Sequence, residues 1–184
     1  MEPERLKMKV AALSVASNTT LVIMKLAVGL AIGSVAMISE AIHSGFDLVA
    51  ALIALFSVKT SSIPADTHHP FGHGKIENIS GTVEALLILG AAVWIIVEAV
   101  GKLRNPEPVD ALGWGVAVML ISSVVNVVVS EVLFRVGRQT DSIALQADAW
   151  HLRTDVYTSA GVMVSLALMW LLQYLLPGRD FFWL

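Results

Sequence analysis

The sequence predicts an all-α membrane protein, a helical bundle with five transmembrane spans, and three observations carry that prediction. Hydrophobic residues make up 56% of the 184 and charged ones 15%, with a mean hydropathy of +0.75. An average soluble domain carries about 25% charged residues. The charges are segregated, clustering between long apolar runs. Five of those runs are long enough to cross about 30 Å of hydrocarbon, which takes roughly 20 apolar residues.

The spans fall at residues 10–32, 34–58, 79–100, 112–134 and 143–174. The first follows a charged start, Met1 to Lys9, and is too long for the apolar core of a signal peptide. No small-residue cleavage site closes it, so it reads as a retained span. Gly33 leaves only a tight hairpin before the second span. Residues 59–78 then form a polar, His-rich loop. After the third span, Pro106 and Pro108 end one helix and delay the next. Residues 137–142 read as a short polar turn before the fifth span. Beyond it, Pro177, Gly178, Arg179 and Asp180 break the helix, and the sequence closes on Phe182, Trp183 and Leu184.

Lys and Arg placement sets the expected orientation. With the N-terminus cytoplasmic, the inside receives Arg5, Lys7, Lys9, Lys59, Lys75, Arg135 and Arg138, and the outside Lys102, Arg104 and Arg179. This bias favours the N-terminus inside, so the His-rich loop faces the cytoplasm. Lys25 and Arg153 remain within spans, as internal counter-charges or, for Lys25, as a snorkelling side chain. A net charge of −3 with no basic tract argues against a nucleic-acid partner. The absence of cysteine excludes disulfides, thiolate metal sites and iron–sulfur clusters.

The second span holds Glu40, His43 and Asp47; the fifth holds Asp148, His151 and Asp155. Both triplets have i, i+3, i+7 spacing, which places the three side chains on one helical stripe. Ala41 and Ala149 each precede a His by two residues, so one pattern occurs twice. Ionisable groups at mid-bilayer cost about 2.5–3.5 kcal/mol each on insertion scales. A divalent cation between the helices would compensate. His43, Asp47, His151 and Asp155 offer two nitrogens and two oxygens, a tetrahedral set that suits zinc. Magnesium and calcium prefer all-oxygen shells. The two spans run in opposite directions and both pairs lie near mid-depth, where alternating access needs a site. Glu40 and Asp148 are left as supporting or gating groups, or as partners of Lys25 or Arg153. In the loop, Asp66, His69 and His73 could form a second, labile metal site with His68 as a spare donor. The other reading is solvated histidines in a loop that Gly72 and Gly74 let turn tightly.

Three segments, Ser39-Glu-Ala-Ile-His-Ser-Gly-Phe-Asp47, His69-Pro-Phe-Gly-His-Gly-Lys-Ile-Glu77 and Ala147-Asp-Ala-Trp-His-Leu-Arg-Thr-Asp155, together with Lys25 and Gly29, resemble the cation diffusion facilitator family of zinc and transition-metal transporters. The resemblance covers essentially the whole chain. It implies a multi-pass protein of a prokaryotic inner (cell) membrane, a homodimer of six-helix protomers that exports Zn2+ in exchange for protons. It implies the intramembrane site at His43, Asp47, His151 and Asp155, and a cytoplasm-facing one at Asp66, His69 and His73. A two-His, two-Asp site resembles the zinc-preferring version; Cd2+, Co2+ and Fe2+ share its ligand preferences. Family members have a sixth span and usually a cytoplasmic C-terminal domain, so this sequence is expected to be truncated before both. A secondary transporter is thus expected, not an enzyme: no His-Glu-x-x-His helix of an intramembrane metalloprotease occurs. The alternatives are a non-transporting metal sensor or scaffold, and a bis-histidine membrane cytochrome, against which the Asp four residues after each His argues.

Overall fold

A computed structural model describes residues 3–104 and 112–175. Five helices account for nearly all of it: α1 (Pro3–Ile32), α2 (Val35–Ser61), α3 (Ile76–Arg104), α4 (Leu112–Gln139) and α5 (Ile143–Leu175), with no strand among the described residues. The chain is an all-α membrane bundle. The expected breaks at Pro106, Pro108 and Pro177–Asp180 lie outside the described residues.

The helices outrun the apolar spans that predict them. α1 starts at Pro3 and carries Glu4, Arg5, Lys7 and Lys9 in its first turns. α4 continues to Gln139, so Gly137 belongs to a helix and the turn narrows to residues 140–142. Apolar length reports the thickness of hydrocarbon; the backbone goes on hydrogen-bonding itself beyond that boundary until a cap stops it. The stops are identifiable. Gly33 takes φ +66°, and the Ser34 N–H donates to the Gly29 carbonyl at 3.0 Å. This left-handed residue with its six-to-one hydrogen bond is the Schellman ending. Ser34 at once caps α2, its hydroxyl accepting the Met37 N–H at 3.3 Å. α4 ends the same way: Asp141 has φ +49°, and the Ser142 N–H donates to the Gly137 carbonyl at 2.9 Å.

Among the described residues, four helices are long and apolar enough to cross a membrane: Pro3–Ile32, Met37–Ser61, Ile76–Gly101 and Val116–Gln139. α5 is longer still, at 33 residues, but its first half carries Asp148, Arg153 and Asp155. α1 packs closely on α2, and α4 on α5; α1 also meets α4, while α3 and α2 lie against α5. Gly29 makes the first pairing possible, since a Cβ there would stand 3.1 Å from the Ile38 backbone nitrogen. Only 6% of the α3 span is buried, against 44% of the α2 span. α3 is therefore the least buried of these spans among the described residues, with Leu86, Leu89, Trp94, Ile96 and Val97 exposed.

The apolar core sits at one end of the bundle. It joins Val10 and Ala11 of α1, Val58 of α2, Val129, Leu133 and Val136 of α4, and Ala144, Leu145, Ala149 and Leu152 of α5. Alanine at three of these positions, Ala11, Ala144 and Ala149, lets the backbones approach, the usual way helices associate where lipid competes for apolar contact. A polar knot closes the same end. Glu77 of α3 accepts from Lys7 of α1 at 3.3 Å, from Ser61 of α2 at 2.7 Å and from Ser142, ahead of α5, at 2.5 Å. Lys7 also pairs with Glu4 at 3.0 Å, and Glu4 accepts from Ser62. Four helix ends thus converge on one buried carboxylate.

Two outcomes follow for unfolding in detergent followed by circular dichroism. Gly33→Ala lowers stability by about 1–2 kcal/mol, because in the left-handed geometry an alanine Cβ crowds the following carbonyl oxygen and has no polar atom to compensate. A double-mutant cycle of Lys7→Met with Glu77→Gln gives a coupling of roughly 1–3 kcal/mol; additive effects would mean that the pair is not a working contact.

Candidate metal centre

α2 and α5 bring the two sequence stripes together. They are antiparallel, since α2 ends where α5 begins, at the core end of the bundle. Asp47 lies 14 residues before Ser61 and Asp155 lies 12 residues after Ile143. At 1.5 Å per residue these are depths of about 21 and 18 Å along the two helix axes. One ligand atom from each of His43, Asp47 and Asp155 falls within 4.8 Å of the others. The fourth residue joins through Asp47: the His151 Nε2 is 3.2 Å from its Oδ1. All four residues expected from the sequence are therefore at one place.

Asp47 and His151 are buried, 7% and 6% exposed, while His43 and Asp155 are partly buried. The His151 Nδ1 and the Asp155 Oδ2 are buried with no hydrogen-bond partner. Unmade hydrogen bonds of this kind are expensive in an apolar interior. These buried lone pairs thus lack a partner and positive charge, and a metal ion that accepts lone pairs would supply both. A tetrahedral zinc with bonds of about 2.0–2.1 Å has ligand-to-ligand edges of roughly 3.3 Å. The donor atoms of His43, Asp47 and Asp155, already within 4.8 Å, need only small side-chain adjustments to close on one ion, with the His151 Nε2 beside Asp47.

The neighbouring ionisable groups divide cleanly. Lys25 of α1 donates to Glu40 at 2.9 Å and to Ser44 at 2.6 Å, so Glu40 is a counter-charge outside the cluster. Lys25 is 6% exposed, which makes it an internal partner and not a snorkelling side chain. Arg153 turns away from the site, giving its Nε to Ser130 at 3.0 Å and an Nη to Glu131 at 2.9 Å. Asp148 therefore does not pair with Arg153. It is fully buried, with neither carboxylate oxygen hydrogen-bonded, on the turn of α5 before His151.

Glu84 of α3 is a residue that the sequence reading passed over. It has no exposed surface, takes a hydrogen bond from Ser80 at 3.3 Å and lies within electrostatic reach of Asp148. The available signal was an acid inside an apolar span. Gly81 sets the approach, for a Cβ there would meet the Ile143 side chain at 2.9 Å.

The loop residues also converge. Single donor atoms of Asp66, His69 and His73 lie within 4.8 Å of one another. The Asp66 Oδ1 accepts the His68 and His69 backbone N–H groups at 2.8 and 2.6 Å. The His69 ring approaches that oxygen at 3.3 Å, and the His73 Nε2 lies 3.5 Å from Oδ2. The His69 N–H, with help from that of His68, holds the Asp66 carboxyl below its ordinary range. The carboxylate is thus charged and fixed, with both rings already turned towards it. His68 stays exposed and outside the group.

Comparison with known proteins shows the family. Residues 11–182 match the family described as the cation efflux transmembrane domain. An uncharacterized transporter of Synechocystis sp. is 38% identical over 165 residues, covering 90% of this chain and 53% of its own length. The cation-efflux pump FieF of Klebsiella pneumoniae is 33% identical over 166 residues, 90% of this chain and 55% of that protein. The magnetosome protein MamB of Magnetospira sp. is 34% identical over 147 residues, 75% of this chain and 47% of that protein. The chain spans about half the length of the curated relatives it matches. A helical membrane bundle with paired His and Asp stripes, matched along nearly its whole length, belongs to the cation efflux (cation diffusion facilitator) family.

Proposed function

We propose that this chain is the membrane part of a secondary transporter that moves a divalent transition-metal ion, zinc first, outward in exchange for protons. The observation that carries the reading is the meeting of His43 and Asp47 of α2 with His151 and Asp155 of α5 at one point between the helices. Family membership and the names of the relatives, a cation-efflux pump among them, support transport of a cation. The choice of zinc rests on the donor set: two imidazoles and two carboxylates suit Zn2+, with Cd2+, Co2+ and Fe2+ as competitors. α5 serves as the fifth span, its polar stripe turned inward. Protomers pair as homodimers in the cell membrane, with the N-terminus and the loop cytoplasmic.

The hydrogen bond between His151 and Asp47 gives the exchange a physical basis. A ring nitrogen and a carboxylate oxygen at 3.2 Å share a proton. A metal that takes either atom must displace that proton, so binding competes with protonation at the same atoms. Imidazole, with an unperturbed pKa of about 6.5, releases its proton within the physiological range. Because each helix contributes half the donors, binding favours one relative position of α2 and α5, and release the other. Asp66, His69 and His73 act earlier, raising metal capture at the cytoplasmic mouth.

In proteoliposomes of the full-length protein, Asp47→Ala and Asp155→Ala each reduce zinc-driven proton flux to the protein-free background; normal flux in either variant defeats the site assignment. His73→Ala slows uptake at low zinc and leaves the saturated rate near that of the parent protein. If His73→Ala is as inactive as Asp155→Ala, the loop carries the ion and does not merely capture it.

A further inference from the structure

One face of the bundle is used by neither proposed metal site. Where the last turns of α4 meet the first turns of α5, a surface pocket of about 420 Å3 is walled by Glu131, Phe134, Arg135, Arg138, Trp150 and Arg153. Three guanidinium groups share this pocket with one carboxylate. Arg153 is tied to Glu131 and Ser130, which neutralises one charge. Arg135 and Arg138 are exposed, and neither has a carboxylate partner among the described residues. Two positive charges are therefore left over on a wall of a membrane protein.

One aromatic ring, that of Phe134, restrains two of the three cations. Arg138 lies over the Phe134 ring at 5.4 Å from its centroid, and Arg153 over the same ring at 5.7 Å. Trp150 meets Phe134 edge to face at 5.2 Å and is itself 54% exposed. Such contacts restrain guanidinium groups without consuming their hydrogen-bond donors.

Depth separates the two chemistries. The 28 residues of α4 span about 42 Å, against about 30 Å of hydrocarbon. Its C-terminal end, with Arg138 in the last turn and Arg135 just before it, thus reaches headgroup level. Trp150 and Arg153 lie two to three turns into α5, at the start of the acyl region. Cationic donors above and an exposed indole below form the complement of an amphiphile. A free anion needs the donors but has no use for the apolar wall.

We propose that this pocket binds an anionic glycerophospholipid, its phosphate on Arg135 and Arg138 and the upper part of one acyl chain along Trp150. The occupant would rest on the outer face of α5. Arg153 anchors that face to α4, two residues from both His151 and Asp155.

The test uses delipidated full-length protein, titrated with dioleoyl phosphatidylglycerol, with dioleoyl phosphatidylcholine and with inorganic phosphate. Native mass spectrometry reads the bound lipid. The expected result is one phosphatidylglycerol per protomer, bound about tenfold or more weakly by the R135Q/R138Q variant. Phosphatidylcholine does not substitute, and phosphate does not compete. Equal retention by the variant overturns the proposal, as does equal retention of phosphatidylcholine, which would indicate an apolar groove. Competition by phosphate would mark a simple anion site and overturns it too. As a second readout, phosphatidylglycerol brominated on its acyl chain quenches the fluorescence of the parent protein more than that of Trp150→Phe. Equal quenching in the two rejects the placement. Zinc-binding stoichiometry, measured on the same samples, separates failure of this lipid site from failure of the transport site.

Discussion

The cost of placing ionisable side chains within an apolar bundle governs this structure. Such groups are costly in hydrocarbon by several kcal/mol each, and most of those described here are held by a partner from another helix. Lys25 of α1 meets Glu40 of α2, Lys7 of α1 meets Glu77 of α3, Arg153 of α5 meets Glu131 of α4, and Asp47 of α2 meets His151 of α5. These pairs fix which helices touch and in what register. Apolar packing alone would do so weakly, because lipid offers the same contacts.

The exceptions to that pairing sit around the proposed centre. Asp148, with both oxygens unpartnered, the second Glu84 oxygen, the His151 Nδ1 and the Asp155 Oδ2 all lack a hydrogen bond. These atoms come from α3 and α5, beside the point where α2 closes the group. A bundle otherwise economical with buried charge thus concentrates its unmet demand where a cation would pass. The polar knot on Glu77 and the alanine-rich core hold the other end of the same helices together. Such a division, with one end tied and a mid-depth site short of positive charge, suits helices that rock about a firm base.

Much of this was legible in the residues. Apolar runs fixed the number of helices, and Gly33 fixed the first hairpin. The repeated acid-Ala-x-His-x-x-x-Asp pattern named four residues that do converge. Asp66, His69 and His73 converge as well. Helix ends were less legible: α1 begins seven residues before its apolar span and α4 continues five residues beyond its own. Hydropathy measures contact with lipid and is blind to helical turns that stand in headgroups or water. Glu84 was passed over for another reason. A single acid in an apolar span acquires a meaning only when Gly81 lets α5 approach and set Asp148 near it.

By itself, the sequence determined which stripes of α2 and α5 are polar, because helical periodicity maps spacing onto faces without reference to any neighbour. Tertiary structure decided the partnerships. It placed Lys25 on Glu40, sent Arg153 outward to Glu131, left Asp148 beside Glu84 and set His151 against Asp47. The physical reason is that an ion pair or hydrogen bond reaches about 3 Å. Which charges fall within that reach depends on how closely small residues let two helices approach, a property of the packed pair and not of either helix alone.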